Sequence, residues 1–448
     1  MSFKKNRVSR REFFGSAAAL VAVSSCAGRS RAADRPPVTN PRSTSGDTAH
    51  EPEWKERLTV SVGPKKADLV GSTDKVIQAA VDYVTRLGGG TVRVLPGTYG
   101  MRNAVYLRGG VRIVGSGADS ILLKGPSITT KLVANSDWYD QEITLADARG
   151  FNVGDGVCLR TKNPHNKGTE VLRRTLVARS GNRFKLDRAL RENFWLMGDS
   201  TASTLFPLLD GDHVSDVLIE SITLDGNKAE NVNLNGNYAG CIFCQDCSRL
   251  SFREVETRNY NGDGISWQIC HDVTVERCHS HDNEGLGLHP GSGSQRPLMR
   301  DNKLLRNNIG LFFCWGIRHG LAERNLIDEN KSYGISIGHH DTDNLIVDNQ
   351  ITRSGKVGVL FRAARGKDFA PHRNRLENNR IENSGPEDGI GVDVQGETQS
   401  VVIRGNKISE TRAPAKRIGI RLGAETKDIQ LADNQITGFA EPIKDLRA

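Results

Sequence analysis

The sequence is short of aromatic side chains, which make up 6% of 448 residues. Apolar residues in total reach only 37%. Few aromatics beside many glycines and asparagines fit a fold of short strands and tight turns. Beyond the first thirty residues no apolar run approaches the ~20 residues that span a bilayer. Strong charge of one sign is missing too. The formal charge is +8. Lys4, Lys5, Arg7, Arg10 and Arg11 against Glu12 put +4 of it in residues 1–25, which leaves 8 − 4 = +4 for the rest. That excess is too small to predict a nucleic-acid partner. What the chain has in quantity is glycine, 47 residues of it, with asparagine concentrated at regular intervals.

The start reads as an address. Ser9-Arg10-Arg11-Glu12-Phe13-Phe14 follows a basic stretch and precedes the apolar run Gly15 to Val23. This pattern resembles a twin-arginine (Tat) export signal over residues 1–30. The resemblance implies the Tat export machinery as a partner and a periplasmic, cell-envelope or extracellular location. Val23-Ser24-Ser25-Cys26 resembles a lipoprotein cleavage box, with Cys26 as the lipidated residue and ordinary cleavage nearby as the alternative. Residues 31–55 read as a flexible tether.

A helix is predicted within residues 72–90. Val76, Ile77, Ala80, Val81 and Val84 share one face, and Gly88-Gly89-Gly90 stops it. Thr91 to Leu95 then alternates as a strand. The segment from Asp74 through Gln78-Ala79-Ala80 to Leu95-Pro96-Gly97-Thr98-Tyr99 resembles the opening of pectate-lyase-like right-handed parallel β-helix proteins. The resemblance implies a capping helix over the first coil, which would shield core and free strand edges.

Internal repetition is the main signal. Segments beginning at Gly264, Gly285, Gly310, Gly334, Gly358, Gly389 and Gly419 are 21, 25, 24, 24, 31 and 30 residues apart. Their second residues are all aliphatic (Ile265, Leu286, Leu311, Ile335, Val359, Ile390, Ile420). Their fourth residues are all apolar (Trp267, Leu288, Phe313, Ile337, Phe361, Val392, Leu422). Strand alternation points both positions inward. A repeat in the low twenties with strand patterning predicts an all-β solenoid over residues 56–445. Asn302, Asn325, Asn349, Asn379, Asn406 and Asn434 recur two residues before an aliphatic and are predicted to stack as a structural ladder. Residues 140–197 break the repeat and predict a β-rich insertion of short antiparallel strands.

Eight cysteines are present. Cys241, Cys244 and Cys247 have part of an iron–sulfur spacing but lack a fourth Cys, and core packing is the better reading. A disulfide to Cys270 or Cys278 stays open.

Outward positions and the turns after them carry the candidate chemistry. His289, Arg318, His319, His339, His340, Asp341 and Arg362 fall in four successive coils, about 4.8 Å apart in a stack. Four of the eleven histidines are among them. Asp263, Arg365 and Asp393 complete the predicted substrate-binding set. Three chemistries remain open. In β-elimination on a uronic acid, His319 or His339 would be the base, Arg362 and Arg318 would bind the carboxylate, and His289 would assist. In glycoside hydrolysis, acids among Asp263, Asp341 and Asp393 would act in pairs. A metal could sit on His339, His340 and Asp341, although neighbours on an extended strand point opposite ways. The family resemblance implies a polysaccharide substrate and, by analogy, calcium. A non-catalytic glycan-binding protein is the remaining alternative. The Asp-Pro-His motif of alginate epimerases is missing: Leu288-His289-Pro290 lacks the acid.

Overall fold

The computed structural model describes residues 56–447. The twin-arginine segment, Cys26 and the tether lie outside the described residues. None of the described helices is long and apolar enough to cross a membrane.

Each middle coil contributes one strand to an 11-stranded sheet and two three-residue strands to a 22-stranded sheet. Neighbouring coils pair in parallel throughout both walls, as in Ile265↔Leu288, Leu288↔Leu311 and Leu311↔Ile335. The two short strands of a coil meet at a residue with positive φ, such as Asp301 (56°) between Leu298–Arg300 and Lys303–Leu305.

The pairing moves two coils of the sequence register. Gly264 matches Gly287 and not Gly285, and Gly358 matches Gly391 and not Gly389. The corrected spacings are 23, 23, 24, 24, 33 and 28 residues. A slip of two residues keeps every side chain on its own face, so hydrophobic alternation alone does not detect it. The repeated glycine has a steric cause. A Cβ on Gly287, Gly310, Gly334, Gly358 or Gly391 would stand 2.5–2.8 Å from the carbonyl oxygen of the coil above. Any side chain there would push two rungs apart.

Inside, Ile265, Trp267, Leu288, Leu311, Phe313, Ile335, Ile337, Val359 and Phe361 are all fully buried in one continuous core. The asparagine ladder runs down one edge. Each Asn Nδ2–H donates to the next Oδ1, from Asn302 through Asn325, Asn349, Asn379 and Asn406 to Asn434, at 2.8–3.0 Å. Shorter asparagine runs repeat the device, Asn283 to Asn307 and Asn344 to Asn374. Cys158, Cys241, Cys244, Cys247, Cys270 and Cys278 are buried free thiols.

Helix α1 (Asp74–Arg86) lies against strands Thr59–Gly63 and Gly90–Val94 and buries Ile77, Ala80, Val81 and Val84. It ends where Gly88 and Gly89 take φ of 86° and 102°. The insertion is a six-stranded antiparallel sheet within Thr129–Ser203 with its own core around Leu159, Phe184 and Phe194.

Candidate functional site

The outward face of the 11-stranded sheet forms a wall. One outward column runs Tyr106, Asp210, Phe243, Ser266, His289, Phe312, Ser336, Leu360, Asp393, Arg421. Unlike the inner columns, this one repeats no residue type from rung to rung.

His289 is its centre. The ring is 3% exposed, and its Nδ1–H donates to Asp263 Oδ2 (2.7 Å). Asp263 Oδ1 accepts the Leu286 backbone N–H (2.8 Å), so the carboxylate is fixed from two sides. Burial works against a charged ring, but Asp263, with the Cys314 thiol beside it, outweighs burial and lifts His289 to about 9. Its Nε2 is covered and has no hydrogen-bond partner. The edge of Phe312 lies 5.5 Å away between ring centroids.

Arg362 closes this group. Its guanidinium lies 4.3 Å above Phe312, donates to Ser336 Oγ (2.7 Å) and Phe313 O (2.8 Å), and stands 3.6 Å from Asp341. Gly338 makes this reach possible, because a Cβ there would meet Arg362 Nε at 2.6 Å. Asp341 is fully buried beneath and accepts backbone N–H groups from Gly316, Ile317 and Gly338. Burial raises its carboxyl to about 7.

The predicted residues therefore separate. Asp263, His289, Asp341 and Arg362 come together. Asp393 is on the same wall but is held by Arg421 (2.5 Å) and Gln395 (2.6 Å), two rungs past Ser336. His339, His340, Arg365 and Arg318 lie along the turns beyond the wall. There His339 tilts against Trp315 (5.1 Å), His340 against Phe369 (4.6 Å), and Arg365 stands over Trp315 (6.0 Å). Burial, with Arg362 and Arg365 nearby, keeps His339 neutral by lowering its pKa. His339, His340 and Asp341 do not converge: the two rings rest on separate aromatics while the carboxylate points inward. His319 sits elsewhere again. It is an exposed corner residue with φ of 56° beside the 22-stranded sheet. The expectation that seven residues share one wall fails there, because a turn through Trp315 and Gly316 (φ of 67° and 87°) carries Arg318 and His319 away from strand Ile309–Phe312.

The sequence gives no sign of a further cavity. A cleft of about 710 Å³ opens where the insertion meets the first coils, lined by Tyr106, Arg173, Arg188, Asp210, Tyr238 and Phe243. Arg173 pairs with Asp210 (2.5 Å) and lies 4.6 Å over the Phe243 ring. Burial raises the Asp210 carboxyl, and Arg173 draws it part of the way back. Extending the repeat backwards from Gly264 to Gly240 would have turned Phe243 inward, because the sheet pairs Gly240 with Asp263 and so sets Phe243 beside Ser266, one residue out of that register. Nothing in the sequence pattern places Arg173, which reaches the wall from the insertion.

A family model described as a right-handed β-helix region matches residues 219–370. The solenoid is a right-handed β-helix. No curated protein matches the chain. Among solved structures, the β-helix resembles the mannuronan C-5 epimerase AlgE4 A-module of Azotobacter vinelandii. The TM-score is 0.52 at 14% identity, over 86% of this chain and all of that one. It also resembles PfbA, a surface adhesin of Streptococcus pneumoniae, with a TM-score of 0.54 at 13% identity, over 86% of this chain and 93% of that one. At such identity the likeness is one of β-helix fold, and function is argued from the site.

Proposed function

We propose that this β-helix is an exported polysaccharide lyase acting on a uronic-acid-containing glycan, with His289 as the base. The observation that carries the reading is the buried Asp263–His289 pair, with its Nε2 unpartnered, and Arg362 packed on the same Phe312 ring as His289. Asp263 holds the Nδ1 proton and so leaves Nε2 as the basic edge. The glycan would lie along the wall from the Arg173 cleft to Arg362. Arg362 would leave Ser336 and Phe313 O to pair with the carboxylate of the reacting sugar, which makes the C5 proton more acidic. Removal of that proton, with loss of the C4 substituent, gives a C4=C5 double bond and a new chain end. Arg173 and Arg188 would meet carboxylates of neighbouring sugars, while Tyr106, Tyr238 and Phe243 offer ring faces to the sugar rings.

The neighbour named a C-5 epimerase works at the carbon that this reaction deprotonates. Hydrolysis by paired acids is less favoured, because Asp263, Asp341 and Asp393 are each already held by a cation or by backbone donors. The twin-arginine segment supports action in the periplasm or outer envelope.

A panel of acidic and neutral polysaccharides tests the reading, with ultraviolet absorbance and reducing ends followed together. Absorbance that rises with reducing ends on a uronate polymer is the expected result. Reducing ends alone would indicate a hydrolase. Binding with no cleavage of any polymer would indicate an adhesin-like role and end the enzymatic reading.

A further inference from the structure

The outward face of the 22-stranded sheet carries one group that stands apart from its repeating corner pairs. Strands Glu256–Arg258 and His279–His281 are adjacent and parallel, with Glu256 opposite His279 and Arg258 opposite His281. Thr257 and Ser280 point into the core and are fully buried. Strand alternation therefore puts Glu256, His279 and His281 together on the outer surface. One ligand atom from each can be chosen so that all lie within 4.8 Å of one another.

The donors are already oriented. His281 Nδ1–H donates to Asp282 Oδ2 (2.6 Å), and Arg306 grips Asp282 in turn (2.7 and 2.8 Å). That leaves His281 Nε2 facing Glu256 Oε1 at 3.1 Å. A carboxylate behind the far nitrogen of a ligating imidazole is the usual support of a histidine metal ligand. The His279 ring stacks on His281 with centroids 4.0 Å apart, and its Nε2 is buried with no partner. The 3.1 Å separation of Nε2 and Oε1 is close to the ~3.3 Å edge of a tetrahedron with zinc bonds of about 2.0–2.1 Å.

We propose that Glu256, His279 and His281 form a binding site for one divalent transition ion of the zinc class, with a fourth position left to water. Two imidazoles and one carboxylate suit zinc or cobalt better than calcium or magnesium. The ion takes the place of the proton now shared between His281 and Glu256. Arg258, 3.0 Å from Glu256 Oε1, and Lys303, paired opposite His279 on the next coil, are the opposing charges. They limit affinity and make Glu256 indispensable as the one anionic ligand. The site stands apart from the catalytic wall and does not depend on the lyase reading.

The test uses the full chain, stripped with a chelator and titrated with Co²⁺, followed by visible absorption and equilibrium dialysis. One equivalent should bind with the intense visible bands of a tetrahedral site, and Zn²⁺ should remove them. His279→Ala and Glu256→Gln, each checked for native circular dichroism, should abolish the bands. Asp282→Asn should weaken binding about tenfold. His213→Ala, at the separate exposed group with Asp212 and Asp246, should leave the bands unchanged. No cobalt signal in the native chain, or a signal that survives both His279→Ala and Glu256→Gln, would overturn the site.

Discussion

His289 and His319 lie thirty residues apart on successive coils and occupy opposite kinds of surface. His289 is buried on the 11-stranded wall against Asp263. His319 stands exposed on a left-handed corner whose equivalents form a ladder of exchanged charges: Asp216 with Arg249, Asp272 with Arg296, Asp343 with Arg373. The corner repeats one solution from rung to rung, and each rung carries little energy because the pairs are exposed. The wall changes residue type at every rung, and Asp210, Asp263, His289 and Asp393 on it are buried and each held by a different partner. In a solenoid, repetition marks what stacking requires, and departure from repetition marks what a ligand would require.

The largest test of that contrast is His289→Ala. Product formation from a uronate polymer should fall at least ~100-fold, as for loss of a general base. The unfolding midpoint should fall as well, because the buried Asp263 carboxylate loses its partner, so turnover is compared well below that midpoint. A variant that keeps most of its activity would remove His289 from the chemistry.

Asn349→Ala should lower stability without touching the chemistry. It removes bonds to Ala322 O, Asn379 and Asn325 inside the core. Several buried partners are left unsatisfied, at a cost of about 3 kcal/mol. Denaturant unfolding should read that loss, while specific activity at low temperature stays close to native.

The pH profile sharpens the role of the wall. The base works only when deprotonated, and Asp263 holds His289 at about 9. Activity should therefore climb from neutral pH and level off above about 9. Asp263→Asn withdraws the negative charge that favours imidazolium, so its weaker rising limb should move to lower pH. A native profile that falls between pH 7 and 9 would instead make the ring a proton donor.

At the corner, His319→Ala and Arg296→Ala should change neither activity nor unfolding midpoint beyond measurement error. A loss of turnover in His319→Ala would break the division between the two surfaces.

Much of the scaffold was legible because stacking imposes local rules that leave a trace in every coil. Ile265, Leu311 and Ile335 announce the inner face. Asn302 through Asn434 announce the ladder. The register at Gly285 and Gly389 was misread because a two-residue slip preserves the alternation that serves as the signal. Part of the candidate site was legible as well, since His289, Asp263, Arg362 and Asp341, which the structure groups on one wall, are all among the residues singled out in the sequence. Their roles were not. Whether a histidine precedes or follows a left-handed corner decides whether it meets Asp263 or solvent, and one residue of φ is not written in hydropathy. Arg173 and Asp210 were invisible as a pair, since the insertion brings them together across a separation of 37 in sequence.

The sequence by itself determined the coil, its inward columns and its asparagine and glycine ladders, because each is a contact between a residue and its own equivalent one turn away. Tertiary structure alone decided which outward groups meet. A side chain on the wall touches different residues from different coils and from the insertion, and that pairing depends on three-dimensional register and corner geometry, which no repeat encodes.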